Sequence, residues 1–223
     1  MLSIIIPTYN ERDNIIPLLS RLEKSLNKEH EVIFVDDNSP DGTASCVEEA
    51  MKTYRCVRLL KRKKKQGLTA AIVAGAAAAK GGYLVIMDSD ISHPPEKVPA
   101  LVSALDNHDL VIGSRMLEGG GVASWPFHRK IISIGADFLA RAMLGVSVSD
   151  PMSGFFAIRK EVFKKTKFRT RGYKILLNIL ADNPRIRISE VPYVFSDRHS
   201  GRTKLGAGEI FTYVLDIIRL RFT

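Results

Sequence analysis

The stretch Tyr83-Leu84-Val85-Ile86-Met87-Asp88-Ser89-Asp90-Ile91-Ser92-His93-Pro94-Pro95-Glu96 decides how this chain reads. It opens as a short apolar run, which suits a strand buried on both faces of a parallel sheet. It then breaks into Asp-Ser-Asp, placing two carboxylates one residue apart at a strand exit. Pro94-Pro95-Glu96 reads as a helix start, because proline fits the first turn and an acidic side chain there complements the helix dipole.

The same pattern recurs on both sides of this unit. Strand-like runs lie at 2–6, 31–35, 56–60, 83–87 and 110–112, with helical patterns at 13–27, 42–53, 68–79 and 94–105 between them. Such spacing predicts right-handed βαβ connections and an α/β fold with a mostly parallel sheet. The pattern changes after Gly119-Gly120-Gly121, which reads as a loop. An amphipathic helix follows at 127–144, led by Trp125, then a tight turn at Asp150-Pro151 and a short strand at 155–158. A helix at 173–181, two strand-like pieces around Pro192, a polar loop at 196–204 and an apolar helix at 208–222 complete the chain. The expected organisation is one domain over 1–205 and a closing apolar or amphipathic helix over 206–223.

No stretch reaches the roughly 18 uninterrupted apolar residues of a membrane span. The nearest, 67–87, is broken by Lys80-Gly81-Gly82. Met1-Leu2-Ser3-Ile4-Ile5-Ile6 lacks a charged leader region and a cleavage site, so it reads as a first strand. Cys46 and Cys56 show neither metal-type spacing nor a disulfide framework, which favours a reducing, cytoplasmic setting. Lys and Arg outnumber Asp and Glu by 33 to 24, a formal charge of +9. That surplus suits polyanionic partners: nucleic acid, an anionic membrane surface or phosphorylated substrates. No aromatic interleaving or recognition motif supports nucleic acid. The run Lys61-Arg62-Lys63-Lys64-Lys65 reads as a solvated loop, with lipid headgroup contact as the alternative.

Ligands of a doubly wound sheet bind outside the carboxyl ends of its strands. Three polar clusters fall there: Pro7-Thr8-Tyr9-Asn10-Glu11, Asp36-Asp37-Asn38-Ser39 and Asp88-Ser89-Asp90. Singly, each has a plain structural reading as turn chemistry, a helix cap or a chance Asp-x-Asp. Their convergence on one rim favours a site. Two carboxylates at a strand exit suit Mg2+ or Mn2+, which take oxygen ligands and leave positions for diphosphate oxygens.

The succession IIIPTYNE, VDDNSPDGT, MDSDISHPPE, GSRMLEGG, WPFHRK and DPMSGFFAIRKEVF resembles family 2 of the glycosyltransferases, of GT-A type. Within that family it resembles the dolichyl-phosphate mannose synthases, from Leu2 to about Leu205. The resemblance implies a Rossmann-like, mostly parallel sheet flanked by helices, with an acceptor-side C-terminal half. It implies a GDP-mannose donor, a dolichyl or other polyprenyl phosphate acceptor and Mg2+ or Mn2+ as cofactor. It further implies a peripheral place on the cytoplasmic face of a membrane, with a membrane-anchoring partner subunit as a possibility.

Carried onto this sequence, the resemblance puts Pro7, Tyr9, Glu11, Val35 and Asp37 in the nucleoside pocket, the Asp37 carboxylate accepting bonds from the base edge. Asp88, Ser89 and Asp90 would hold metal and diphosphate. Ser92 stands where relatives often have glutamine, and its shorter hydroxyl reaches the metal directly or through water. His93 reads as a structural residue of the helix start. Arg115 and Arg129 match positions that receive the acceptor phosphate, with Ser133 nearby. Arg198 and Lys204 match a segment that closes over the donor and acceptor phosphates. Guanidinium forks suit phosphate because they pair with it bidentately. Asp90, Arg115 and Arg129 are thus the residues placed at the reaction itself.

Relatives that use hydroxyl acceptors place an acidic pair where this chain has Asp150-Pro151-Met152-Ser153-Gly154-Phe155, and no Glu-Asp pair occurs here. A phosphate monoester has a second pKa of about 6 and is already a nucleophile at neutral pH. Four alternatives remain in view. A UDP-glucose-dependent glucosyltransferase would act on the same lipid phosphate. A processive polysaccharide synthase would need a Gln-x-x-Arg-Trp pattern that is missing. A haloacid-dehalogenase-type phosphatase would carry its Asp-x-Asp near the N-terminus. A non-catalytic nucleotide-sugar-binding adaptor would leave Arg115 and Arg129 without a task. Trp125, Phe127, Ile131, Ile132, Phe138 and Leu139 share a segment with Arg129, Lys130 and Arg141, which predicts a helix resting in a lipid interface.

Overall fold

The computed structural model describes residues 1–123, 127–170, 174–196 and 215–221, with the backbone alone for 127–134. Seven strands form the main sheet in the order β3-β2-β1-β4-β7-β5-β8. The strands are β1 (Leu2–Thr8), β2 (His30–Asp36), β3 (Val57–Lys61), β4 (Tyr83–Ile86), β5 (Leu110–Ser114), β7 (Phe156–Arg159) and β8 (Ile188–Pro192). Neighbours run parallel, except that β7 is antiparallel to both β4 and β5. Strands β6 (Gly121–Val122) and β9 (Val194–Phe195) pair separately.

Burial explains why the central strands form. Every residue of β1 and β5 is buried; apart from the hydrogen-bonded Ser3, Thr8 and Ser114, the side chains are apolar, and helices on both faces cover them. On one face lies α1 (Arg12–Ser25), whose Ile15, Leu18, Leu19 and Leu22 recur at helical spacing and join one core cluster with residues of α2 (Thr43–Thr53) and α4 (Val98–Ala104). The other face is covered by α3 (Leu68–Ala78), α6 (Lys160–Lys165) and α7 (Ile175–Asp182), which share a second cluster with the opposite faces of the strands. Helix α3 lies hard against the sheet: a Cβ on Gly75 would stand 2.6 Å from Ile5 Cγ2 and 2.9 Å from Val35 Cγ2. Each fully buried Leu, Ile or Val contributes about 1.5–3 kcal/mol relative to exposure.

Three details differ from the expectation. The helix expected at 94–105 divides into a 3-10 turn, Pro95–Lys97, and α4, which carries Pro99 in its first turn. Gly121, expected in a loop, belongs to β6. The strand expected at 155–158 is β7, and its antiparallel insertion has a consequence for the site. Because Ile86 and Ile112 both pair with Phe156, the loop Asp150–Phe155 arrives at the carboxyl ends of β4 and β5.

Helix α5 (Phe127–Leu144) has the bounds expected from its pattern. Its Ala140 joins a third cluster with Leu177 of α7 and with Ile217 and Leu220. Residues 215–221 are helical, and Asp216 forms a buried ion pair with Lys174 at 3.2 Å. The closing segment is therefore docked through Ile217 and Leu220, while Leu215 and Ile218 face outward with Phe138. Ile210, Phe211 and Val214 lie outside the described residues.

Candidate active site

Two adjacent loops build the first part of the rim. Register places Pro7 beside Val35 and Thr8 beside Asp36, and beyond them the loops after β1 and β2 bond to each other. The Asn10 amide donates to Ser39 Oγ at 3.0 Å, Glu11 to Thr43 Oγ1 at 2.9 Å and Arg12 to Asp41 Oδ2 at 3.2 Å. The start of α1 is thereby capped by the neighbouring loop. Asp36 accepts from the Ser39 amide at 3.0 Å and its hydroxyl at 2.5 Å. Asn10 and Asn38 adopt left-handed backbone (φ 62° and 65°), which asparagine tolerates better than most residues.

Asp37 is buried and already engaged. Its carboxylate accepts the amides of Gln66 and Gly67, each at 2.9 Å from Oδ2, and pairs with Arg62 at 2.8 Å. An ionised carboxylate offers about four acceptor positions, so Asp37 holds the loop before α3 and keeps little capacity for a nucleobase. The basic run is not wholly solvated. Arg62 is bound to Asp37, Lys61 pairs with Glu48 at 2.6 Å, and Lys65 Nζ sits 3.5 Å from the Tyr9 ring centroid.

The Asp88–Asp90 segment is held from behind. The Asp88 amide donates to His93 Nδ1 at 2.9 Å, which leaves the ring proton on Nε2. His93 stacks on Phe155 at 5.1 Å and meets Tyr193 and Phe195 edge-on at 5.8 and 6.0 Å. His93 is thus structural, as expected, but it orients the aspartates rather than starting a helix. Asp90 Oδ1 accepts from the Ser92 amide at 3.1 Å and its hydroxyl at 2.5 Å. Between them Ile91 takes φ 63°, a conformation that strongly disfavours a β-branched residue; such strain concentrates at functional loops.

These residues fit a hard divalent cation. The donors are carboxylate oxygens, and His93 Nδ1 is spent on the Asp88 amide. Asp88 Oδ2 faces Gly154, where an added Cβ would lie 4.0 Å away. In this arrangement Ser92 supports Asp90 directly.

The far side of the rim centres on Arg115. Its Nε and Nη2 donate to the Asp150 carboxylate, both at 2.8 Å, and its amide donates to the same carboxylate at 3.0 Å. Burial opposes the charge on Arg115, but these bonds and the adjacent negative charge hold its pKa above the usual value. Glu190 of β8 positions the partner, accepting from the Ser149 amide at 2.8 Å and the Asp150 amide at 3.3 Å. Asp137 of α5 is buried nearby, and both of its oxygens lack a hydrogen-bond partner among the described residues. Burial, followed by the Asp150 charge, pushes its pKa up to about 7.

Arg129 and Ser133 fall on α5, but their side chains lie outside the described residues, as do Arg198 and Lys204. The structure brings Pro7, Tyr9, Glu11, Val35 and Asp37 to one side of the rim and Asp88, Ser89, Asp90 and Ser92 to its middle. Pro7 and Val35 are buried within the sheet edge itself. The sequence reading missed Arg62, Lys65, Asp137 and Glu190 as members of this region, and it placed Asp150 there without its pairing to Arg115. Only Lys65, one residue before Gln66-Gly67 and within a basic run, had a usable signal.

The family model for glycosyl transferase family 2 matches residues 3–167, and the chain belongs to that family. Over 98% of its length it is 43% identical to a dolichol-phosphate mannosyltransferase of Pyrococcus furiosus, of which it spans 63%. It is 39% identical to the dolichol-phosphate mannosyltransferase of Saccharomyces cerevisiae and 38% identical to that of Mycosarcoma maydis, spanning 86% and 78% of them. Its fold is of GT-A type. It superposes on glucosyl-3-phosphoglycerate synthase of Mycobacterium tuberculosis, solved with Mn2+, UDP and glucosyl-3-phosphoglycerate, with a TM-score of 0.73 at 22% identity, covering 99% of this chain and 78% of the other. Among the described residues no helix is long and apolar enough to cross a membrane.

Proposed function

We propose that the protein transfers mannose from GDP-mannose to a dolichyl or other polyprenyl phosphate, with inversion and with a bound Mg2+ or Mn2+. The observation that carries this reading is the Arg115–Asp150 fork. The carboxylate nearest the position where hydroxyl-using relatives keep a base is fully buried and bonded at both oxygens. A hydroxyl acceptor would need a general base there; a lipid phosphate needs none. The names of the mannosyltransferase relatives support the same acceptor and sugar.

Asp88 and Asp90 would hold the cation, with Ser89 beside the diphosphate and Ser92 steadying Asp90. Bound there, the cation would neutralise charge developing on the departing nucleoside diphosphate. Tyr9 and Glu11 would flank the nucleoside, with Asp37 shaping its pocket through the Gln66-Gly67 loop. Arg115, Arg129, Ser133, Arg198 and Lys204 would receive the phosphates and screen their mutual repulsion. Phe138, Leu215 and Ile218, all exposed, would face the lipid interface of a membrane's cytoplasmic side, where an anchoring partner subunit would also bind. Residues 1–205 would form the catalytic domain and 206–223 its interfacial helix.

The test is a panel of GDP-mannose and UDP-glucose against polyprenyl phosphate and free polyprenol, each with Mg2+, Mn2+ or chelator. Metal-dependent mannosyl transfer to the phosphate alone is expected. Transfer to polyprenol would overturn the acceptor assignment, and a preference for UDP-glucose would overturn the donor.

A further inference from the structure

We propose that Glu23, His30 and Cys56 form a second binding site, for a divalent cation of the zinc class. Glu23 lies in the last turns of α1, His30 opens β2, and Cys56 immediately precedes β3. Their ligand atoms all lie within 4.8 Å of one another. Glu23 Oε1 stands 2.9 Å from His30 Nε2 and 3.1 Å from Cys56 Sγ. A tetrahedral zinc ion with ligands at about 2.0–2.3 Å sets neighbouring ligand atoms about 3.3–3.8 Å apart. The two Glu23 separations need to open by only a few tenths of an ångström, and the third edge of the triangle, His30 to Cys56, is within 4.8 Å and is set by side-chain rotation about the ion.

The orientation of His30 is the second observation. Its Nδ1 lies 2.8 Å from the Lys28 carbonyl, which can only accept, so Nδ1 carries a proton. Nε2 is thereby turned towards Glu23 and Cys56. A histidine whose far nitrogen donates to a backbone carbonyl is the usual outer-shell arrangement of a metal ligand. Burial is also suitable: the His30 side chain is 10% exposed and that of Glu23 35%, leaving an entry path and room for a water as fourth ligand.

Donor chemistry separates this site from the rim. One thiolate, one imidazole and one carboxylate suit zinc, whereas the all-oxygen aspartates suit magnesium or manganese. The two sites lie at opposite ends of β2, about 20 Å apart at the rise of a strand. A cation here would tie α1, β2 and β3 together without touching the donor. On binding, Cys56 loses its thiol proton to solvent and the sulfur joins the metal. Because binding releases that proton, affinity should rise with pH.

Cobalt titration of the full chain, without nucleotide, tests the assignment. A saturable thiolate-to-cobalt charge-transfer band is expected, displaced by Zn2+, retained in Asp90→Ala and absent in Cys56→Ser. In the unmodified protein Zn2+ should slow alkylation of Cys56 at least tenfold, leaving Cys46 unchanged, and should raise Tm. The proposal is overturned if the band never forms and Cys56 is unprotected, or if the band survives Cys56→Ser.

Discussion

The two sides of the rim hold their charged groups by different means. On the β1–β2 side, proposed to hold the donor, consecutive βα loops bond to one another through short polar side chains: Asn10 to Ser39, Glu11 to Thr43, Arg12 to Asp41. The partners come from two compact motifs, and all three bonds have a backbone amide as donor. On the β5–β8 side, Arg115 depends on Asp150, 35 residues away, which in turn depends on Glu190, 40 residues further. Apart from the buried Arg62–Asp37 pair, the first side is built from backbone bonds and tolerates loss of a carboxylate with limited damage to the fold. A side built around a buried ion pair does not, because removing one partner strands the other.

Asp90→Ala should produce the largest effect. Turnover should fall about 1000-fold or more, equivalent to about 4 kcal/mol of transition-state stabilisation. Stability should fall by only about 1–2 kcal/mol, the cost of leaving Ser92 unpaired. Single-turnover kinetics and a denaturant melt on the same preparation check both. Activity within tenfold of the parent would break the assignment of this aspartate to the reaction.

Asp150→Ala should show the opposite balance. It strands a guanidinium that is only 10% exposed, and such losses cost about 3–5 kcal/mol. At about 2–4 °C per kcal/mol for a chain of this size, Tm should drop by roughly 10 °C. The double variant Arg115→Leu/Asp150→Leu should recover much of that stability without recovering activity. If Asp150→Ala melts like the parent, the β5–β8 side is not organised by this pair.

This contrast also accounts for what could be read from the sequence. Strands β1, β2 and β4 carry apolar runs, each ending in a polar cluster, so the parallel frame and the convergence of those clusters on one rim were legible. Helix α5 was legible to the residue from its periodicity. The antiparallel insertion of β7 was not, because Phe156–Ile158 carries no mark of its direction; pairing with β4 and β5 decides that. Arg115 was found only as a motif, and its partner Asp150 read as half of a turn. The Glu23–His30–Cys56 cluster escaped for the same reason, since its members come from three elements and share no local spacing. Arg62 was hidden by its neighbours in a run of five basic residues, and Lys65 was set apart only by its place just before Gln66-Gly67.

Asp137 offers a pH-dependent comparison of the two sides. Its folded pKa of about 7 lies above the ordinary carboxylate value of about 3.9. Between these values the folded state binds more protons than the unfolded one, so its contribution to stability falls as pH rises from about 4 to 7. Asp137→Asn removes the buried charge at the cost of a partly unsatisfied amide. The variant should be about 1–2 kcal/mol more stable than the parent at pH 8 and no more stable at pH 4.5. Parallel urea melts at the two pH values decide it; an equal offset at both would mean that the carboxyl is not titrating in this range.

Lys65→Ala should give the smallest effect and the sharpest reading of the donor side. Lys65 is exposed, and its ammonium lies 3.5 Å from the centroid of Tyr9. A cation over an aromatic face at an exposed site contributes about 0.5–1 kcal/mol, so the direct loss is small. If Tyr9 flanks the nucleoside, Lys65 fixes the ring from one side and adds positive charge near the diphosphate. Its removal should then raise the Kd for GDP about twofold to fivefold, while kcat and Tm stay close to the parent. Lys65→Arg should restore most of the affinity, because a guanidinium also stacks on tyrosine. The effect should shrink as salt is raised, since an exposed charge is screened over about 8–10 Å. Lys63→Ala, on an equally exposed neighbour, is the control. If the two alanine variants bind GDP alike, Lys65 belongs to a solvated loop after all, and only Arg62 of that run is part of the site.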